Sequence, residues 1–297
     1  MCLKASDELG FSLGEGEYEV SVNGAPKYTA THIDGKRITR TSDQELSLPT
    51  AFIMGCSFTY GMGVTDSVSF PYLLQQEFDT LANIENFGVP GFGNVQSYLQ
   101  LKREVKNGNK PNMVIVNFCD FHHERNSLTP GYRNSLVLGY QRANHEVAKE
   151  LAKSEFPFME NGKLKTVAFA SMYSNWPGRE TFAAVHYFQS NNDKRLSEKI
   201  DLEKNSLVLF SKMKAFCDEH KIKLIVTGLT KNKATREFLE SLKRKGIRTV
   251  DISLDLRKKK YNQLPYDSHP NEKAHAYFAQ ALNPIIGEWL SSLSPAN

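Results

Sequence analysis

Short apolar runs alternate with longer segments of helical periodicity along most of this chain of 297 residues. Brief, mostly apolar runs are typical of buried strands, and they occupy residues 50–54, 84–87, 113–118, 224–227 and 248–252. Apolar residues three and four positions apart predict amphipathic helices, and they occupy residues 69–78, 95–105, 202–217, 234–245 and 272–293. Strands that alternate with helices in this way indicate βαβ units and a mostly parallel sheet.

The expected architecture is therefore an α/β fold, a flavodoxin-like three-layer α/β/α sandwich with about five parallel strands. We assign residues 49–297 to this domain. The periodicity loosens over about residues 128–199, which we interpret as a partly helical insertion. In such sheets the ligand lies at the carboxyl ends of the strands. Chemistry is expected where the first, third and last strands end.

Residues 1–48 have a different pattern, with short alternating stretches and many Gly, Thr, Ser and charged residues. Asn23-Gly24 stands between two of these stretches. An Asn-Gly pair in that position is a strong hairpin signal, because both residues accept positive φ angles. Residues 1–48 are expected to form a small N-terminal β appendage.

Composition narrows the partners. The chain has 37 basic and 33 acidic residues and a formal net charge of +4, which is too weak a bias to predict a nucleic-acid partner. The sequence has no apolar run long enough to span a membrane and no signal-peptide core near residue 1, so a cytoplasmic location is expected. The spacing of its cysteines fits neither a disulfide framework nor a zinc site. We expect free thiols, no metal and no cofactor; the oligomeric state stays open.

The first candidate for chemistry is Ser57, in the segment GCSFTYG after the first predicted strand. A serine at this point presents its hydroxyl at the edge of the sheet. Its backbone N–H then lies near a helix N-terminus, where an oxyanion is stabilised. The alternative is a turn serine that only caps the helix.

The second candidate is the pair Asp267 and His269, in YDSHPN before the last helix. A catalytic histidine needs a carboxylate that holds its tautomer. Side chains two apart in an extended segment point to the same side, so Asp267 can reach one ring nitrogen of His269 and leave the other free. The alternative is a capping Asp beside an incidental His.

The third candidate is the glycine-rich segment NFGVPGFGN after the second predicted strand. Glycines at a strand end let backbone N–H groups approach a ligand closely. A second oxyanion donor is expected in such a place, although an ordinary strand-to-helix turn has the same composition.

These segments together resemble the SGNH (GDSL-like) hydrolase family over about residues 50–127 and 200–293. The family's first block matches GCSFTYG, with Cys56 where Asp is frequent; the second maps its oxyanion glycine onto Gly91; the last matches Asp267 and His269. The resemblance implies a serine esterase or deacetylase with Ser57 as nucleophile and an acyl-enzyme intermediate. It also implies a small-molecule or carbohydrate acyl ester as substrate.

The third block of the family has the pattern Gly-x-Asn-Asp, in which the Asn side chain donates to the oxyanion. In this chain no Asn falls at the expected register of NFCDFHHERN. His122 or Asn126 is expected to supply the missing oxyanion donor, since either side chain can donate a hydrogen bond. His122, His123, Asp120 and Glu124 could also suggest a metal, but neighbouring side chains on one element point in different directions.

Three alternatives to the esterase remain open. An acyltransferase would use the same triad with an alcohol acceptor. A non-catalytic binding protein on the same fold would explain the altered third block. A phosphate- or nucleotide-binding protein would fit the basic clusters Lys243-Arg244-Lys245 and Arg257-Lys258-Lys259-Lys260, but no phosphate-binding glycine motif is present.

Overall fold

The computed structural model describes residues 2–41, 47–141 and 145–293. Residues 42–46, in the predicted appendage, and residues 142–144, in the predicted insertion, lie outside the described residues. The strands in chain order are β1 (Leu3–Ser6), β2 (Gly10–Leu13), β3 (Gly16–Val20), β4 (Tyr28–Ile33), β5 (Lys36–Arg37), β6 (Thr50–Gly55), β7 (Asn83–Gly88), β8 (Met113–Phe118), β9 (Glu155–Glu160), β10 (Lys163–Ala168), β11 (Lys223–Thr230), β12 (Arg248–Leu254), β13 (Asn262–Gln263) and β14 (Asp267–Pro270).

Helices form at each of the five segments that periodicity predicted, and further helices lie in the insertion and directly after two of the strands. In chain order they are α1 (Ser57–Tyr60), α2 (Phe70–Glu77), α3 (Asn94–Lys106), α4 (His122–Asn126), α5 (Pro130–Gln141), α6 (His145–Lys153), α7 (Ala183–Glu198), α8 (Leu202–Glu219), α9 (Lys233–Arg244) and α10 (Glu272–Ser291). Side-chain caps explain several starts: Asp201, Asn232 and Asn271 accept hydrogen bonds from backbone N–H groups in the first turns of α8, α9 and α10.

The main sheet has the strand order β12-β11-β8-β6-β7-β5-β4-β3. Strands β12, β11, β8, β6 and β7 are parallel, as the βαβ pattern predicted. Strands β5, β4 and β3 continue the sheet with antiparallel pairing. The carboxyl ends of β6, β7 and β8 therefore meet at one edge.

Helices cover both faces of the parallel strands, because successive side chains on each strand point to opposite faces. Ala51 and Ile53 of β6 pack in one core cluster with apolar side chains of α2 and α10. Phe52 and Met54 pack in another with apolar side chains of α3, α8 and α9. This arrangement confirms the predicted three-layer α/β/α sandwich.

Of the N-terminal strands, β3, β4 and β5 belong to the main sheet, whereas β1 and β2 form a separate two-stranded sheet. The predicted hairpin forms between β3 and β4, with positive φ at Asn23 and Gly24. Buried Arg37 of β5 donates to Asp66 Oδ1 at 2.6 Å and to the carbonyl oxygens of Tyr60 and Gly61. A buried guanidinium with all these acceptors is compensated for its lost hydration, so the N-terminal strands brace the loop that follows α1.

The insertion contains α5, α6, the hairpin of β9 and β10, and α7. Phe156 of β9 packs on Phe11 of β2 and on Phe169. The insertion and the hairpin of β1 and β2 thus share a core cluster beside the loop after β7. In the part of the chain that the structure describes, no helix is long and apolar enough to cross a membrane.

Candidate active site

Ser57 lies in a tightly packed turn between β6 and α1. A Cβ added at Gly55, where φ is +159°, would lie 2.3 Å from Thr59 Oγ1. A Cβ at Gly88, at the end of β7, would lie 2.3 Å from the backbone nitrogen of Tyr60. These close approaches hold Ser57 as the first helical residue beyond the strand, with 4% of its surface exposed.

The β13–β14 hairpin carries the other two predicted triad residues. Asp267 and His269 lie on the same strand two positions apart, as the extended segment predicted. Gln263 fixes the hairpin beside the nucleophile turn, because its Nε2 donates to the carbonyl oxygens of Met62 at 3.0 Å and of Pro270 at 3.1 Å. The contact to Met62 joins segments 201 positions apart in the chain. Gln263 lies in none of the motifs that predicted the site.

The structure brings Ser57, His269 and Asp267 into one hydrogen-bonded chain. His269 Nε2 lies 2.9 Å from Ser57 Oγ. The other ring nitrogen, Nδ1, contacts Asp267 Oδ1, which also accepts from the backbone N–H of His269 at 2.8 Å. The Phe58 ring stands edge-on to the imidazole with centroids 5.5 Å apart. Packing and hydrogen bonds therefore fix the orientation of the histidine.

The hydrogen-bond partners of Asp267 and His269 determine which of their atoms carry a proton. Partial burial tends to raise the pKa of Asp267, but the hydrogen bond and charge of His269, with backbone N–H groups of Ser268 and His269, lower the pKa below its ordinary value. The Asp267 carboxylate then accepts from Nδ1–H of His269. Nε2 keeps its lone pair and accepts from the Ser57 hydroxyl, which is the arrangement of a general base and a nucleophile.

Gly91 lies in the loop after β7, beside the nucleophile turn. The backbone N–H of Val89 donates to Gly55 O at 3.1 Å and ties this loop to the end of β6. Gly91 has φ +86°, and its carbonyl oxygen accepts from the Tyr132 hydroxyl. Among the described residues, the N–H groups of Ser57 and Gly91 have no hydrogen-bond acceptor. Both groups are therefore available to a ligand.

Asn126 makes contacts that do not support an oxyanion role. Its Oδ1 accepts from the backbone N–H groups of Asn94 at 2.7 Å and Val95 at 3.3 Å, in the first turn of α3. Its Nδ2 donates to Ser206 Oγ at 3.0 Å. Asn126 is fully buried, so it caps α3 and joins α4 to α8. Both polar atoms of the Asn126 side chain thus already have partners, and its role as the missing oxyanion donor stays a prediction.

His122 also faces the interior. It is fully buried, and its Nδ1 lies 3.1 Å from Asn94 Oδ1. Its ring stands edge-on to the rings of Phe118 and Phe121. These contacts hold the side chain inside the protein, and its role as an oxyanion donor stays a prediction.

The other potential ligands of this segment have separate partners. Asp120 Oδ1 accepts from Thr230 Oγ1 at 2.8 Å, and His123 Nδ1 contacts Ser206 Oγ at 2.9 Å. Burial lowers the pKa of His123 to about 4, so this side chain is neutral at pH 7. The side chains of residues 120–124 do not gather around one point.

Arg125 is the side chain of α4 that faces the glycine loop. Its guanidinium lies over the Phe121 ring at 4.3 Å and donates to Phe92 O at 2.9 Å. A Cβ on Gly93 would lie 3.0 Å from Arg125 Cβ, so helix and loop are in close contact. Arg125 lies in the segment NFCDFHHERN between the two expected donors, His122 and Asn126. The signal for it in the sequence is that its guanidinium is always charged and can only donate.

A cleft of about 570 Å³ adjoins the triad. Phe58 and Ser268, the neighbours of the nucleophile and the histidine, form part of its wall. The wall also contains the charged side chains of Asp120, Lys231 and Arg257. The cleft thus begins at the chain neighbours of Ser57 and His269.

Comparisons with known proteins agree with the resemblance found in the sequence. The family model described as GDSL-like Lipase/Acylhydrolase matches residues 52–282. A solved structure of the psychrotrophic esterase EstA from a Pseudoalteromonas species is 13% identical and has a TM-score of 0.43; the match covers 82% of this chain and 98% of that one. A member of the lipolytic protein G-D-S-L family from Veillonella parvula DSM 2008 is 10% identical with a TM-score of 0.41, covering 80% of this chain and 98% of that one. The comparison with curated proteins found no match.

Proposed function

Because this chain belongs to the GDSL-like lipase/acylhydrolase family, we propose that it hydrolyses a carboxylic ester through an acyl-enzyme on Ser57. The observation that carries the proposal is the 2.9 Å contact between Ser57 Oγ and His269 Nε2, with Asp267 on the opposite ring nitrogen. A serine hydroxyl is a weak nucleophile until an oriented base takes its proton. This chain supplies that base and the group that orients it.

In the first half of the reaction, Ser57 Oγ attacks the ester carbonyl carbon while its proton passes to His269 Nε2. The carboxylate of Asp267 stabilises the imidazolium that forms. The bond between the carbonyl carbon and the alcohol oxygen then breaks, and His269 returns the proton to the leaving alkoxide. The products of this half are the free alcohol and an ester on Ser57.

In the second half, His269 Nε2 takes a proton from water, and the resulting hydroxide attacks the acyl carbon. The bond to Ser57 Oγ breaks, the carboxylic acid leaves, and the proton returns to Ser57. No cofactor takes part in either half, and each proton moves through one nitrogen.

Negative charge on the carbonyl oxygen is stabilised in both halves by N–H donors. The backbone N–H groups of Ser57 and Gly91 are two such donors. We assign the third contribution to Arg125, whose guanidinium is anchored on Phe92 O at the loop that contains Gly91. A cation there compensates for the Asn that the third family block lacks.

The proposed substrate is a small-molecule or carbohydrate acyl ester. The cleft beside Phe58 and Ser268 has both charged and apolar walls. Such walls suit a polar alcohol group, for example a sugar, better than a long acyl chain.

The proposal is tested by labelling the chain with a fluorophosphonate, followed by peptide mass spectrometry. Label on Ser57 that is lost in His269→Ala and kept in Ser268→Ala supports an activated serine. Hydrolysis of p-nitrophenyl esters of increasing acyl length then measures chain preference. No label on Ser57, or label on Ser57 that is unchanged in His269→Ala, excludes this mechanism and favours a binding protein.

The acyltransferase alternative differs only in the nucleophile that meets the acyl-enzyme. Product analysis with a labelled acyl ester and candidate sugar acceptors separates the two activities. Free acid as the main product supports hydrolysis. An acylated sugar as the main product would overturn it while leaving Ser57 as the acylated residue.

A further inference from the structure

Two cysteines and a histidine form a buried cluster behind the nucleophile turn. Cys56 precedes α1, Cys119 follows β8 and His122 begins α4; all three side chains are fully buried. Their sulfur atoms and a ring nitrogen of the histidine lie within 4.8 Å of one another. Across residues 2–41, 47–141 and 145–293, this is the only group of three or more Cys, His, Asp or Glu side chains placed to share an ion.

Neighbouring amides assign the tautomer of His122. Asn94 Nδ2 donates to Asn117 O at 3.1 Å, so Asn94 Oδ1 faces His122 Nδ1 at 3.1 Å. That oxygen can only accept, so Nδ1 carries the proton. The backbone N–H of Cys119 points at the same Nδ1 as a donor, at the longer distance of 3.3 Å, and this contact favours the other tautomer. In the tautomer set by the shorter contact with Asn94, Nε2 keeps a lone pair.

The lone pair on His122 Nε2 is buried and has no hydrogen-bond donor among the described residues. A buried polar atom without a partner is destabilising. A histidine that donates through Nδ1 to an oxygen while Nε2 stays free is arranged as metal-ligating histidines usually are. Ring contacts with Phe118 and Phe121 hold the imidazole in that orientation.

We propose that Cys56, Cys119 and His122 bind Zn²⁺. Two thiolates balance the charge of one Zn²⁺, so the complex is neutral in this buried site. The three protein ligands leave the fourth tetrahedral position of the ion to a water molecule. Thiolate and imidazole ligands select zinc over Mg²⁺ or Ca²⁺, which prefer oxygen. Zinc lies about 2.3 Å from sulfur and about 2.0–2.1 Å from nitrogen, which separates ligand atoms by roughly 3.5–4 Å. The observed separations of at most 4.8 Å accommodate that geometry.

The ion would have a structural role. It would join the carboxyl ends of β6 and β8 to the start of α4, directly behind the turn that holds Ser57. The site is independent of the proposed esterase chemistry, because none of its ligands belongs to the hydrogen-bonded chain of Ser57, His269 and Asp267. It differs from the expectation of no metal, since the spacing of the ligands in the sequence matches no zinc motif and only the fold gathers them.

The test is the zinc content of the full chain, purified without a polyhistidine tag from cells grown with added Zn²⁺. We expect about one zinc ion per chain in wild type, a loss of at least tenfold in Cys119→Ala and His122→Ala at the same protein concentration, and wild-type content in Cys217→Ala. Cys217 is the matched control, because it is also a buried free thiol and packs in the other core cluster.

A second measurement does not depend on the folding of any variant. Wild-type chain refolded with Co²⁺ should show a thiolate-to-cobalt charge-transfer absorption, which added Zn²⁺ removes. Wild type that carries no zinc and gives no such absorption overturns the proposal. Zinc that stays in folded Cys119→Ala, or a chain that retains Cu⁺ and not Zn²⁺, overturns it equally.

Discussion

The turn between β6 and α1 and the segment between β8 and α4 follow neighbouring strands of one sheet, yet they direct their polar groups in opposite ways. The first turn presents Ser57 to His269 beside an open cleft. The second turns His122 and Asn126 into the interior, where they meet Asn94. Equal position at a sheet edge therefore does not give equal access to a ligand; the neighbouring helices decide which side chains face outward.

Removal of the nucleophile is the largest expected effect. Ser57→Ala should lower kcat/KM for a p-nitrophenyl ester by about 10⁴–10⁶-fold, because among the residues that the structure describes no other hydroxyl contacts His269 Nε2. Steady-state kinetics on matched protein batches measures it. Ser211→Ala, which removes an exposed hydroxyl of α8, should retain activity. A Ser57→Ala protein with normal turnover would show that catalysis occurs elsewhere.

The orienting carboxylate comes next. Asp267→Asn should lower kcat by about 10⁴-fold, since an amide in this place no longer holds Nδ1–H of His269 toward itself and favours the wrong tautomer. KM should change little. The same kinetics measures it, with circular dichroism as a check of folding. A loss below tenfold would mean that His269 is oriented by other contacts.

Arg125 sharpens the contrast between the two segments. Arg125→Met keeps most of the side-chain volume and removes the charge, so kcat should fall by about 10²–10³-fold. Arg125→Lys should recover part of this loss, because a cation remains near Gly91. An unchanged kcat in Arg125→Met would leave the oxyanion to the backbone N–H groups alone.

Gln263 tests the bracing of the acid–base hairpin. Gln263→Ala removes both hydrogen bonds from its side chain to Met62 O and Pro270 O, so His269 should be held less well. We expect kcat to fall about tenfold with KM unchanged, since small misplacements of reacting groups are costly. The rate of fluorophosphonate labelling of Ser57 should fall in parallel. A change confined to KM would instead place Gln263 in substrate binding.

Asn126 has the smallest expected effect on turnover and a clear effect on stability. Asn126→Ala leaves the N–H groups of Asn94 and Val95 without their acceptor, so the free energy of unfolding should fall by about 1–2 kcal/mol. Chemical denaturation measures this value. kcat should stay within about twofold of wild type. A loss of kcat comparable to that of Arg125→Met, without loss of stability, would support Asn126 as an oxyanion donor.

Periodicity was sufficient to predict the fold because burial on both faces of a parallel sheet constrains residue type strongly. The strands β6, β7, β8, β11 and β12 lie where apolar runs predicted them, and the Asn23-Gly24 hairpin forms. The sequence did not predict that β5 pairs with β7. Arg37 and Asn86, which pair there, are far apart in the chain, and a short polar strand has no periodic signal.

The sequence by itself determined the three-layer α/β fold and proposed Ser57, Asp267 and His269, because short motifs at strand ends and an i, i+2 spacing are local properties. The tertiary structure decided the rest. It placed His269 against Ser57 across 212 positions, turned His122 and Asn126 inward, set Arg125 against the Gly91 loop and gathered Cys56, Cys119 and His122. Each of these depends on which neighbouring element lies above a side chain, and residue order does not specify that until the chain is packed.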